Sequence, residues 1–315
     1  MASANGLRRL ARDLSEAESR ERFGTEQACR AALFGMRWRE GLTCPACGGR
    51  SFCELRTRKV FQCNRCKKQL RLTAGTVFQD SKLPLTVWFA AIYHLTQGKG
   101  GISSVELGRR LGVKQGTAWL MKRKLMRAMA GREAAEPGLS GRVEIDDTYL
   151  GGERSGGKRG RGAAGKTPVV AAVETTPGRR PRRMRLTVVE GFRKREVERI
   201  AKRDLAAGGT VVSDGLSCWP AVEKAGCVHR PMRTGSGRRA ACWSPFKWVN
   251  TVLGNVKAAL VGTYRHVSPK HAQSYLTSFA YRYNRRFRRD SIVERLAWAA
   301  MRTAPQPYRI VTADA

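Results

Sequence analysis

Two groups of residues in this 315-residue chain have the types and spacing of metal chemistry. The first is a pair of knuckles, Cys44-x2-Cys47 and Cys63-x2-Cys66, with fifteen residues between them. Each knuckle lets two thiolates reach one ion, and a β-hairpin in the intervening stretch brings the pairs together. Four thiolates at this spacing predict a tetrahedral Zn²⁺ site, with the metal about 2.3 Å from each sulfur. Unrelated buried thiols are the alternative, and the doubled CxxC pattern weighs against it. A module this small supplies little core of its own, so its zinc is expected to be structural and its folding to depend on the metal. Cys53, between the knuckles, is not expected to be a ligand. Cys29, Cys218, Cys227 and Cys242 lack ligand spacing and read as small buried residues.

The second group is acidic. In "RVEIDDTYL" strand alternation puts Glu144 and Asp146 on one face and Val143, Ile145 and Asp147 on the other. A carboxylate inside an apolar strand is costly unless it is paired or bound to metal. "GTVVSDG" repeats the pattern, with Asp214 at the carboxyl end of an apolar run and Gly215 after it. Singly, such residues often only cap a turn; together, in a strongly basic chain, they suggest a two-metal site. Farther on, Asn250 and Lys257 stand seven residues apart, two helical turns, and so share a face. An amide oxygen suits a hard cation and an ammonium suits a phosphate, but an ordinary polar helix face explains the pair equally well.

The chain carries 60 Lys+Arg against 25 Asp+Glu, a formal charge of +35. Such an excess calls for an anionic partner, and nucleic acid fits best because basic side chains release counterions condensed on phosphates. No run of about 18 apolar residues offers a membrane span, and no signal segment is evident at the start. The expected location is therefore the cytoplasm, in association with the nucleoid, with no membrane partner.

The elements that would position these groups follow from periodicity. Residues 1–36 read as an amphipathic helical segment built on Leu7, Leu10 and Leu14 and ending before Gly35. Residues 37–75 form the cysteine-bearing β module. Residues 76–130 hold three helical stretches resembling a helix-turn-helix, with Lys114, Gln115, Thr117, Lys122, Arg123 and Lys124 on the presumptive recognition helix. Residues 131–141 have linker composition. Residues 142–290 alternate strands and helices as an α/β layer should, and 291–315 are left as a tail. Within this region 151–166 is rich in Gly, Lys and Arg, either a solvated connector or an arm that contacts phosphate.

The ordered series "CPACG", "CNRC", "TAGTVFQDSKLPLTVWF", "VEIDDTYLGG", "VVSDG" and "WVNTVLGNVKAALVGTYRHVSPKHAQSYLTSFAYRYNRR" resembles the zinc-ribbon bacterial insertion-sequence transposases of the fifteen-ninety-five family, over about residues 20–290. The resemblance implies an RNase H-like α/β domain of the DDE type, in a variant where Asn replaces the third acid. By motif, Asp146, Asp214 and Asn250 become the catalytic metal ligands and Lys257 a catalytic phosphate contact. Asp147 falls where relatives often carry Glu and reads as supporting the ligands. The implied chemistry is strand cleavage and strand transfer with two Mg²⁺ ions. The implied partners are terminal inverted repeats, target double-stranded DNA and further copies of the chain. His266 and His271 flank the next helix in a structural or DNA-contacting role. A non-enzymatic zinc-ribbon/helix-turn-helix regulator explains the charge and cysteines but leaves Asp146 and Asp214 without a purpose. An RNA-binding protein fits the charge alone.

Overall fold

The computed structural model describes residues 13–151, 166–232, 244–265 and 267–313. Leu7, Leu10, nearly all of the 151–166 loop, Cys242 and His266 fall outside them. The described residues divide into two compact units, one of 13–97, 104–131 and 287–313, the other of 98–103 and 132–286.

In the first unit, Ser15 and Glu18 form a reciprocal capping box that starts α1 (Glu16–Phe23). Thr25 caps α2 (Glu26–Arg37) through the Ala28 amide. The single segment expected to stop before Gly35 is thus two helices, and the second runs through Gly35. A Cβ at that glycine would meet open space, so no packing demand ends the helix there. A three-stranded antiparallel sheet follows, β1 (Phe52–Leu55), β2 (Val60–Cys63) and β3 (Gln69–Arg71). Edge-on contacts of Phe61 with Phe34 and Trp38 tie it to α2, with ring centroids 5.3 and 5.6 Å apart. Three helices come next: α3 (Leu85–Gln97), α4 (Ser104–Leu111) and α5 (Gln115–Ala134). Gly112, at φ 66°, makes the turn between the last two. Buried Trp88, Phe89, Ile92 and Leu95 make α3 the centre of this unit's core.

The residues left as a tail return to that core. The helix Ile292–Met301 packs on α2 and α3, and Ile292, Val293, Leu296, Ala297 and Ala300 are fully buried. Their spacing is that of one helical face, closed by long-range contact.

The second unit is an RNase H-like layer. A five-stranded mixed sheet combines β4 (Arg142–Leu150), β5 (Thr167–Thr175), β6 (Pro181–Val188), β7 (Thr210–Ser213) and β8 (Val228–Pro231). Their spatial order is β6-β5-β4-β7-β8. The first three strands form an antiparallel meander; α6 (Lys194–Asp204) then carries the chain across so that β7 lies parallel to β4, and β8 parallel to β7. On one face Val143, Ile145, Val170 and Val211 pack with Val197 and Ile200 of α6 and with Trp219. On the other, Val169, Ala171, Val173 and Val212 pack under α7 (Lys247–Tyr264) and α8 (Pro269–Asn284). Despite its composition, 131–141 is clamped to this sheet. Glu133 pairs with Arg285, Arg183 donates to the Pro137 and Gly138 carbonyls, and Leu139 is fully buried beside Leu205.

Candidate active site and metal centre

Sheet register brings two of the expected acids together. Parallel pairing aligns Glu144 of β4 with Val212 of β7, so two residues farther along each chain Asp146 stands level with Asp214. Carboxylate oxygens of Asp146, Asp147 and Asp214 all lie within 4.8 Å of one another, and all three residues are half-buried. Like charges this close repel unless a cation is shared among them, and hard oxygen donors suit Mg²⁺. The residues present therefore fit a divalent cation.

Asp214 is held by its own turn. Its Oδ1 accepts from the Leu216 amide at 3.1 Å and from the indole N–H of buried Trp219 at 2.8 Å. Gly215, at φ 84°, permits the reversal, and its amide donates to Ser213 Oγ. That hydroxyl also lies 2.8 Å from His229 Nε2 on β8, and burial pulls the imidazole pKa down. Asp146 Oδ1 accepts from the Asp147 amide at 2.8 Å.

Glu144, which alternation puts on the face of Asp146, has a different task. It is 1% exposed, and Oε1 accepts from Arg142 Nη1 at 2.8 Å. Oε2 accepts from the amides of Trp248 and Val249 at 2.9 and 3.0 Å. These are first-turn donors of α7, whose N-cap Phe246 provides no side-chain acceptor. A strand carboxylate thus caps a helix, satisfying orphan N–H groups and meeting the positive end of the helix dipole. The other fully buried acids, Glu133, Glu174 and Asp204, likewise pair with arginines.

Asn250 follows directly on this pinned turn. It is half-buried, while Lys257, two turns on, is exposed. Val249, Val252, Leu253 and Val256 form the buried stripe of α7, and Asn250 and Lys257 run along its flank.

In the first unit the sulfurs of Cys44, Cys47, Cys63 and Cys66 lie within 4.8 Å of one another. Cys44–Cys66 and Cys47–Cys63 are 3.5 and 3.6 Å apart, near the edge of about 3.8 Å that a tetrahedron with 2.3 Å Zn–S bonds requires. The knuckles are built alike. The Gly48 amide donates to Cys44 O and the Lys67 amide to Cys63 O, with φ of 70° and 60° at those two residues. Burial opposes thiolate formation at Cys44, yet amides of Ala46 and Cys47 and the neighbouring sulfurs outweigh it and bring the thiol down to about 7. Amides of Cys66 and Arg65 likewise lower Cys63. At Cys47 the Gly49 amide lowers the thiol, but the sulfurs of Cys66, Cys63 and Cys44 together with burial outweigh it and push it up to about 12, so each loop favours the thiolate of its first cysteine.

Residues 138–284 match the ISXO2-like transposase domain and residues 24–69 the transposase zinc-ribbon domain, together more than half of the chain. The chain belongs to this zinc-ribbon transposase family. It is also 31% identical over 175 residues to a protein described as an uncharacterized protein in transposable element ISH50, from Halobacterium salinarum. That similarity covers 50% of this chain and 58% of the relative, so the chain spans little more than half the relative's length.

Within the family site, strand alternation alone does not predict the convergence of Asp147. Pairing between β4 and β7 ends at Glu144↔Val212. Past that point the β7 side of β4 has no ladder, which gives two consecutive carboxylates room to turn toward Asp214. Cys29, Cys218 and Cys227 are buried as expected, and Cys53 instead donates to the Gln62 carbonyl. Burial pushes the Cys29 thiol up to about 12, leaving it inert. On α5, Lys122 and Arg123 are buried at 2% and 9% exposure, whereas Lys114 and Gln115 at its start are exposed and Thr117 and Lys124 are half-buried. His271 is half-buried in the first turn of α8 rather than before it. Among the described residues no helix is long and apolar enough to cross a membrane.

Proposed function

We propose that the protein is a DNA transposase that cleaves the ends of an insertion sequence and joins them to target DNA. The observation that carries this reading is the juxtaposition of Asp146 and Asp214 just past the parallel pairing of two strands of an RNase H-like sheet in a chain of this family. Asp146, Asp214 and Asn250 are the catalytic metal ligands in this reading, Asp147 joins them, and Lys257 holds phosphate. Two bound Mg²⁺ ions supply activation of the attacking water or 3′-hydroxyl and stabilisation of the leaving oxygen. The chain's part is positioning. Trp219 and the Leu216 amide occupy Asp214 Oδ1 and so direct its other oxygen outward. Glu144 sets the first turn of α7, fixing the origin of the flank on which Asn250 and Lys257 lie. Little covalent chemistry is asked of the protein, as in other phosphoryl transfers.

Structural zinc in the ribbon would orient a DNA-gripping surface. A groove of about 650 Å³ beside it is lined by Arg30, Arg58, Lys59, Arg71 and Lys82 against the acids Glu26 and Asp80, a cationic excess suited to phosphate. Lys114, Gln115 and Thr117 at the head of α5 are the residues available to read base edges. Assembly of several copies on paired ends belongs to the same reading.

The test uses duplexes carrying the inverted repeats that flank the gene. Wild-type protein should nick them only with Mg²⁺ or Mn²⁺, and Asp146→Ala or Asp214→Ala should abolish nicking while end binding stays within about threefold, because binding rests on Lys and Arg. Full nicking by either variant removes that residue from the site. Metal-independent binding with no nicking by wild type would favour the regulator.

A further inference from the structure

A cleft of about 400 Å³ opens at the end of β4, between that strand and α7. Leu150, Leu260 and Val261 form an apolar floor, and Lys166, Lys257 and Arg265 stand around it. None of the described residues lining it is acidic. Val261 is 62% exposed, an apolar side chain left to water. The volume falls in the range that a single small ligand occupies, roughly 300–1,000 Å³.

Its position is informative. Leu150 lies four residues past Asp146 on the same strand face, about 13 Å at strand rise. Lys257, Leu260 and Val261 continue along α7 the flank that begins at Asn250. A strand whose phosphate sits at the carboxylate cluster therefore has the cleft within reach of a nucleotide or two.

Duplex DNA presents phosphates to a protein surface and keeps its base faces stacked, so a passing duplex would use the three cations and leave the floor wet. An extruded nucleotide satisfies both parts: its base covers the leucines and valine, and its flanking phosphates meet the lysines and arginine. We propose that this cleft binds one unpaired nucleotide of the DNA strand next to the scissile phosphate. The proposal rests on the transposase reading and adds to it a strand-distorting step before cleavage. The side chains of Leu150, Leu260 and Val261 carry no hydrogen-bonding group, and Tyr149 adds an aromatic ring to the lining, so the cleft accepts a base by its face and selects by ease of unstacking.

The test places 2-aminopurine at successive positions on either side of the cleavage point in the terminal-repeat duplex. Full-length zinc-loaded protein is added without Mg²⁺, so that binding alone is read. Fluorescence should rise several-fold at one position, and the rise should vanish with Leu260→Trp or Val261→Trp, which fill the floor. Val261 is exposed, so its substitution leaves folding intact. With Mg²⁺ the filled variants should cleave a fully paired end about ten- to a hundredfold slower, the worth of one base stacked on a protein face. An abasic residue at the responsive position should restore their rate, which structural damage would not do. Flat fluorescence at every position, or filled variants that cleave paired ends at the wild-type rate, overturns the proposal. A wild-type protein that unstacks a base yet never cleaves would instead count against the transposase reading.

Discussion

Replacing Glu144 by alanine removes three hydrogen bonds at once, and their geometry sets the size of the effect. Two of them cap α7 at Trp248 and Val249, and losing a helix cap costs about 0.5–2 kcal/mol. The third is the ion pair to Arg142, whose side chain keeps 22% of its exposure and a bond to the Pro245 carbonyl. Partial exposure puts its loss below the roughly 3–5 kcal/mol of a fully buried pair. Together these give a destabilisation of about 2–4 kcal/mol, which at a slope near 2 kcal/mol/M moves a urea midpoint by about 1–2 M. Glu144→Gln retains an acceptor for the helix amides but turns an amide donor toward Arg142, and should lose about half as much. Hydrogen exchange gives the local reading, because Trp248 and Val249 amides should lose protection in Glu144→Ala before the strand amides of β5 do. If Glu144→Ala is as stable as wild type, or those two amides stay protected, the carboxylate is not what anchors this helix.

Three further outcomes follow. Asp147→Ala should lower cleavage by a smaller factor than Asp146→Ala, and Mn²⁺ should recover part of it; equal, unrescued loss in both would make Asp147 an equivalent ligand. Metal analysis should find one zinc per chain, lost in Cys44→Ser/Cys63→Ser together with end binding, whereas Cys53→Ser keeps it; undiminished zinc in the double variant rules out the assigned ligands. Asn250→Ala should reduce strand transfer strongly and Asn250→Asp only partly, while Asn255→Ala, about 140° around the helix, stays mild. The reverse order in a strand-transfer assay would move the third ligand position.

What could be read from the sequence is what local rules govern. Cysteine spacing marks the four-sulfur cluster because two CxxC turns have few other uses, and the structure repeats one amide pattern in both. Asp146 and Asp214 stand out because acids inside an apolar strand or at its end need a reason. Glu144 has the same signature and a different reason, since its partners Trp248 and Val249 are more than a hundred residues away. Long-range closure also conceals Ile292–Met301, whose face is apolar at helical spacing but whose destination is α2 and α3. The 131–141 stretch looks like a linker by composition; its burial depends on Arg183, Arg185 and Arg285, contributed from β6 and the end of α8. Lys122 and Arg123 look like groove readers for want of any local sign that they are buried.

Register gives the acid cluster a consequence for stability as well. The pairing that sets Asp146 beside Asp214 is the one that aligns buried Val211 with buried Val143. A slip of one residue would carry Val211 and Val212 to opposite faces and move Asp214 off the level of Asp146 in the same step. Core packing of β7 therefore enforces the geometry of the acid cluster, and no separate device is needed to align the two carboxylates. The arrangement also separates two kinds of damage. Shortening a core residue, as in Val211→Ala, should cost about 1–3 kcal/mol by cavity formation while leaving register and divalent-ion dependence unchanged. Removing Asp214 should do the opposite: activity is lost and the sheet, still paired through Val211 and Val212, stays folded.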